Sequence, residues 1–288
     1  PIANIFGNDI NVFRFASLLF YIGTALLMYF ALLESKSSRF QSTIGVLIFV
    51  AFTFSMNFGI HGRPDSLGMF LFMASLIIPY LFHFKNWTLI LALALSLIAF
   101  YTKVYYSFGI AYLIFYLFLF KNKIKSVLLG LITLLAFGFS VLLVSESSKY
   151  YFTNVYTANS NVGGNSFSYM INQTIEYLKY NTSVLIVMVL VLILYLYFSR
   201  KKIKEVIRKL DIQRLIDLKN LNKPAVNLSI SIFTVSLLIS CAIIFFRLGR
   251  GTGTFLTYYF QLISPFLILL LLLLVNRVLK YKALINWV

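Results

Sequence analysis

Five residues, His61-Gly62-Arg63-Pro64-Asp65, place an imidazole, a guanidinium and a carboxylate at the edge of an apolar run. Charge beside hydrocarbon is expensive and is usually retained for a function. One account is structural: Pro64 suits the first helical position, and Asp65 then stands in the first turn, where a carboxylate meets the positive helix end. That account explains Asp65 and leaves Arg63 without a reason. Further along, Lys103 interrupts another apolar run, and Arg247 and Arg250 flank the glycine-rich stretch Arg247-Leu248-Gly249-Arg250-Gly251-Thr252-Gly253-Thr254. Arginine forks bind phosphate oxygens in pairs, and lysine adds a point charge. Flexible backbone of this kind can bring amide groups to an oxyanion. No Walker lysine-serine pattern follows, so a nucleoside triphosphate is not the expected anion.

The elements that must position these residues are membrane spans. The chain has 288 residues, 60% apolar and 11% charged, with a mean hydropathy of +0.89. That is more apolar surface than one soluble core could bury. The one cysteine, Cys241, excludes an internal disulfide and a cysteine metal site, and two distant histidines, His61 and His83, offer no ligand cluster. No metal or cofactor is expected. The net charge of +17 would point to nucleic acid in a soluble protein; here it reads as membrane topology and anionic lipid. The expected architecture is an all-α, polytopic transmembrane bundle forming a single domain over residues 1–288.

Measured against the roughly 20 residues that cross a bilayer, the apolar runs predict about nine spans, over 12–33, 43–58, 66–83, 87–102, 104–120, 127–144, 183–198, 226–246 and 257–275. Residues 87–120 form one run broken by Thr102-Lys103. As a single helix it would be about 50 Å long against a hydrocarbon core of about 30 Å, so a reversal near Lys103 is expected. With the N-terminus outside, most cations then fall on the cytoplasmic side: Lys36, Arg39, Lys85, Lys121, Lys123 and Lys125, the basic stretch from Arg200 to Lys223, and Arg277, Lys280 and Lys282. Such a bias is the positive-inside rule. Merging the fourth and fifth spans would export two of these basic loops.

The segment 200–225 has apolar residues at helical spacing with a basic opposite face, as an amphipathic helix on the cytoplasmic leaflet would. The outer loop 145–182 is rich in Tyr, Asn and Ser and is long enough to form a small lid or simply a solvated loop; it carries two sequons, at Asn172 and Asn181. Seven cations stay on the outer side: Arg14, Arg63, Lys103, Lys149, Lys179, Arg247 and Arg250. Lys149 and Lys179 belong to the long loop. The other five sit at span ends at one depth, against the bias that orients the chain. Snorkelling accounts for any one of them; five together point to an outward-facing anion site. A phosphate on a lipid carrier fits that depth. Tyr258-Tyr259 opens the last span and is either an aromatic belt or part of that site.

Three stretches resemble the GT-C class of polytopic glycosyltransferases that use lipid-linked sugars, in particular the branch similar to protein mannosyltransferases and lipid A aminoarabinose transferases. GRPDSLGMFLF at 62–72 looks like that family's Arg-Pro-Asp segment, AFYTKVYYSFGIAYLIFYLF at 99–118 like its Thr-Lys turn, and GTGTFLTYYFQLISPFLILLL at 251–271 like its tyrosine-rich outer segment before a Pro-containing span. FGNDINVFRFASLLFYIG at 6–23 resembles the stretch before the family's second or third span. The resemblance implies transfer of a sugar from a polyprenyl-phosphate-type donor to an acceptor at the outer face. It implies that Arg63 and Lys103, with Arg247 or Arg250, hold the donor phosphate and stabilise its leaving charge, and that His61, Tyr258 and Tyr259 contact substrate. Asp65 would orient Arg63 or meet the sugar, as the candidate catalytic carboxylate. The family usually carries its catalytic acid in an outer loop upstream of anything matching residue 6. The chain opens at Pro1 without an initiator Met, so a fragment lacking that loop is expected; Asp9 is the other outward carboxylate near the site.

Two further classes compete. An O-antigen polymerase or ligase also gathers outward arginines, but usually with a large late outer loop that the short stretch around Arg247 does not supply. A transporter or flippase of an anionic lipid-linked substrate should place its charges near the bilayer midplane on broken helices. The composition bias toward Lys, Ile and Asn leans toward a bacterial inner membrane, where membrane lipids and the lipid-linked donor would be the partners.

Overall fold

The computed structural model describes residues 10–55, 65–148, 150–151, 167–180, 228–249 and 262–285, with scattered residues between 182 and 197. All regular elements among them are helical: α1 (Ile10–Glu34), α2 (Arg39–Ser55), α3 (Asp65–Leu81), α4 (Asn86–Thr102), a 3-10 turn (Val104–Ser107), α5 (Phe108–Phe120), α6 (Lys123–Ser147), α7 (Phe167–Tyr180), α8 (Leu228–Gly249) and α9 (Ser264–Ile285). The all-α expectation holds. Among the described residues two helices, α1 and α6, are by themselves long and apolar enough to cross a bilayer. The nine-span count is not confirmed beyond these two. A 17-residue helix such as α3 or α4 rises about 26 Å, at the short end of what a hydrocarbon core of about 30 Å needs. The amphipathic stretch 200–225 and most of the span 183–198 lie outside the described residues. Part of the stretch 145–182, expected as an outer loop, is the helix α7.

Helix α3 is the axis of the bundle. It is apolar nearly all round and buried along most of its length, as a helix enclosed by others must be, and it packs on α1, α4 and α5. Phe72 meets Tyr112 of α5 and Phe266 of α9 edge-on, at 5.5 and 5.8 Å between ring centroids. Small residues let the backbones approach. A Cβ at Gly109 of α5 would collide with the Ser75 hydroxyl, and one at Gly23 of α1 would come within 2.8 Å of the Phe70 ring. By contrast α6 touches the bundle along one side, against α5, where the Ser126 hydroxyl donates to the Ile114 carbonyl at 2.7 Å, and against α4, where the Phe137 and Phe100 centroids are 5.4 Å apart. The rest of α6 shows large apolar side chains outward, Leu134 and Leu135 at 72% and 74% exposure, as a lipid-facing helix would.

The reversal expected near Lys103 is present. Lys103 is extended (φ −157°, ψ 134°) between the end of α4 and the 3-10 turn. Helix α5 then runs back, so that Lys121 reaches the Phe84 ring and Lys125 reaches Asn86 at the start of α4. Turns 35–38, 82–85 and 121–122 therefore gather at one end of the bundle. Tyr80 and Ser35 share a hydrogen bond there at 3.0 Å, and Asn276 of α9 donates to the Lys36 carbonyl at 3.2 Å. Asp65 and Lys103 stand at the opposite end.

Candidate functional site

The site starts with the break itself. Thr102 turns its hydroxyl back onto the Ala99 carbonyl at 2.7 Å, closing α4, and the Lys103 amide takes the same carbonyl at 3.1 Å. Released from the helix, Lys103 sends its side chain across to the first residue of α3. Its ammonium lies 2.6 Å from Asp65 Oδ1. The 3-10 turn that follows tightens through Tyr106 N–H to the Lys103 carbonyl at 3.0 Å. That tight turn aims two successive tyrosines at the same atom: Tyr105 and Tyr106 hydroxyls donate to Asp65 Oδ1 at 3.1 and 3.2 Å.

Gly68 makes this possible. A Cβ there would fall inside the Tyr106 ring, so the ring lies flat on α3 one turn past Asp65 and is fully buried. The Tyr105 and Tyr106 rings lean on one another with centroids 4.5 Å apart, and the Lys103 ammonium is 5.9 Å from the Tyr105 centroid. Asp65 is buried, its side chain 3% exposed, whereas Lys103 is 33% exposed and reaches the outside. One carboxylate oxygen thus collects three donors. The other, Oδ2, is buried and has no hydrogen-bond partner among the described residues.

The sequence placed Asp65 either as a helix-end charge or as the orienter of Arg63. Its partners here are Lys103, Tyr105 and Tyr106, and they come from beyond the next helix rather than from its own neighbourhood. Lys103, expected at a donor phosphate, holds Asp65 in this structure. His61, Arg63, Arg250, Tyr258 and Tyr259 lie outside the described residues, as does the side chain of Arg247. The helix that carries Arg247 does run toward the site. Phe233 of α8 packs on Tyr80, with centroids 5.6 Å apart, and Ser240 is hydrogen-bonded to Tyr112 at 3.0 Å. Continuing in that direction brings residue 247 to the Asp65 end. Arg14 is exposed on the opening turns of α1 at this same end and forms no ion pair among the described residues.

Tyr105, Tyr106 and Gly68 were not singled out from the sequence. The signal was the tandem tyrosine two residues after Thr102-Lys103, whose hydroxyls the 3-10 turn points at Asp65. No group of three or more potential metal-ligating residues occurs among the described residues. No family model, curated protein or solved structure matches the chain.

Proposed function

We propose that the chain is a multi-pass membrane glycosyltransferase of the GT-C kind, using a polyprenyl-phosphate-type sugar donor at the outer face of a bacterial inner membrane. The observation that carries this reading is the meeting of Lys103 with Asp65, 38 residues apart in the chain, at one end of the bundle. A cation that reaches the outside and a buried carboxylate with one oxygen that no described residue meets form a pair suited to a phosphorylated sugar at the interface. Lys103 would exchange part of its hold on Asp65 for the donor phosphate. Charge builds there as the bond between the anomeric carbon and the phosphate oxygen breaks, and a preplaced ammonium stabilises it. The acceptor hydroxyl forms the new bond to that carbon and gives up its proton to a carboxylate, and the lipid phosphate leaves with the electron pair. Asp65 Oδ2 would accept a hydroxyl of the sugar or the departing proton. An unmet buried acceptor costs about 1–3 kcal/mol, so a substrate donor would be favoured there.

Position also supports this reading over transport. Asp65 opens α3 and Lys103 follows the last residue of α4, which puts both at helix ends, whereas a carrier concentrates charge midway along broken helices. The test is binding of a short-chain polyprenyl phosphate to the purified full chain. Lys103→Ala is expected to weaken it at least tenfold while the protein still inserts. Equal binding by wild type and Lys103→Ala would overturn the reading.

A further inference from the structure

The other end of the bundle carries a second charged feature that sugar transfer does not use. The turn between α3 and α4 and the turn between α5 and α6 lie side by side and bring together Lys85, Lys121, Lys123 and Lys125, all exposed. Three of the four are held rather than splayed. Lys121 sits 5.6 Å from the Phe84 centroid, Lys123 sits 5.8 Å from that of Phe118, and the Lys125 ammonium donates to Asn86 Oδ1 at 3.0 Å. Among the described residues the ion pair is Lys103 with Asp65, and the other close contact of a basic group with a carboxylate is His83 with Glu34, so no described carboxylate pairs with these four lysines. Lys123 and Lys125 also stand in the first turn of α6, where the helix dipole opposes a cation. Four like charges in one place, two of them against a dipole, call for an external anion.

The surroundings say what kind of anion. Trp87, two residues after Lys85, is half exposed and meets Phe82 edge-on with centroids 5.0 Å apart, and Ile124 is 73% exposed between Lys123 and Lys125 in the chain. An ammonium layer over an exposed indole and an exposed aliphatic side chain matches a phosphodiester headgroup with acyl chain below it. A free phosphate would leave Trp87 and Ile124 in water. We infer that Lys85, Lys121, Lys123 and Lys125 form a binding site for the headgroups of anionic phospholipids, which fixes this end of the bundle in the anionic leaflet. It stands independently of the glycosyltransferase reading.

The test uses the full chain purified in a neutral detergent, washed after incubation with phosphatidylglycerol or phosphatidylcholine, with retained lipid counted by intact-complex mass spectrometry. Phosphatidylglycerol is expected to be retained in preference. Its apparent affinity should fall about fivefold for each lysine removed in Lys121→Gln and in Lys121→Gln/Lys123→Gln, with no loss in Lys179→Gln on α7. Equal retention of the two lipids by wild type, or an equal loss in Lys179→Gln, overturns the site. So does displacement of phosphatidylglycerol by inorganic phosphate or by polyglutamate at matched ionic strength, which would assign the patch to a free anion or to an acidic protein. If the variants do not insert, the wild-type preference alone decides.

Discussion

Lys103 and Asp65 form a 2.6 Å ion pair between the end of one helix and the start of another, with the Asp65 side chain buried and the Lys103 side chain one-third exposed. The two ends of the pair are therefore not equivalent. Removing the cation strands a buried charge on two tyrosine hydroxyls. Removing the anion leaves a cation that can rehydrate.

Lys103→Met is accordingly expected to destabilise the protein by about 3 kcal/mol, and Asp65→Asn by less. The double variant should lose less than the sum of the two. Thermal unfolding in detergent measures all three, and strictly additive losses would mean that the pair does not couple.

Gly68→Ala is expected to cost about 1–3 kcal/mol, because the new methyl enters the space of the Tyr106 ring. Tyr106→Phe keeps the ring and should cost about 1 kcal/mol for one hydrogen bond. The loss in Gly68→Ala should shrink on a Tyr106→Ala background. If it stays the same, the contact with Tyr106 is not its cause.

His83 has a left-handed backbone, φ 54°, at the end of α3, where Phe84 N–H closes back on the Pro79 carbonyl at 2.7 Å. A residue with a Cβ pays about 1 kcal/mol for that conformation and glycine does not. His83→Gly should raise the unfolding temperature, since the contact it gives up, at 3.9 Å to Glu34, is exposed and of little worth. A lower unfolding temperature would show that this contact outweighs the backbone strain.

Asn122 and Tyr150 are both exposed and flank α6 at its two ends. In a Cys241→Ser background, Asn122→Cys and Tyr150→Cys should react with an impermeant thiol reagent from opposite sides of the membrane. Lys85→Cys should side with Asn122→Cys. Labelling of Asn122→Cys and Tyr150→Cys from one side would mean that α6 does not cross.

Along-chain properties were legible in the residues themselves. The break at Thr102-Lys103, the helices on either side of it, and the gathering of Lys36, Lys85 and Lys121 at one end follow from hydropathy and charge spacing, because both vary along the chain and need no partner to be read. The number of helices that cross a membrane is less legible, since an apolar run sets where a helix can form but not how much of it lies in hydrocarbon. That Asp65 takes Lys103, Tyr105 and Tyr106 was decided only by the tertiary structure. Which side chains meet depends on how α3 and α4 are rotated and on how closely Gly68 lets a ring approach, and no spacing along one helix carries the rotation of its neighbour.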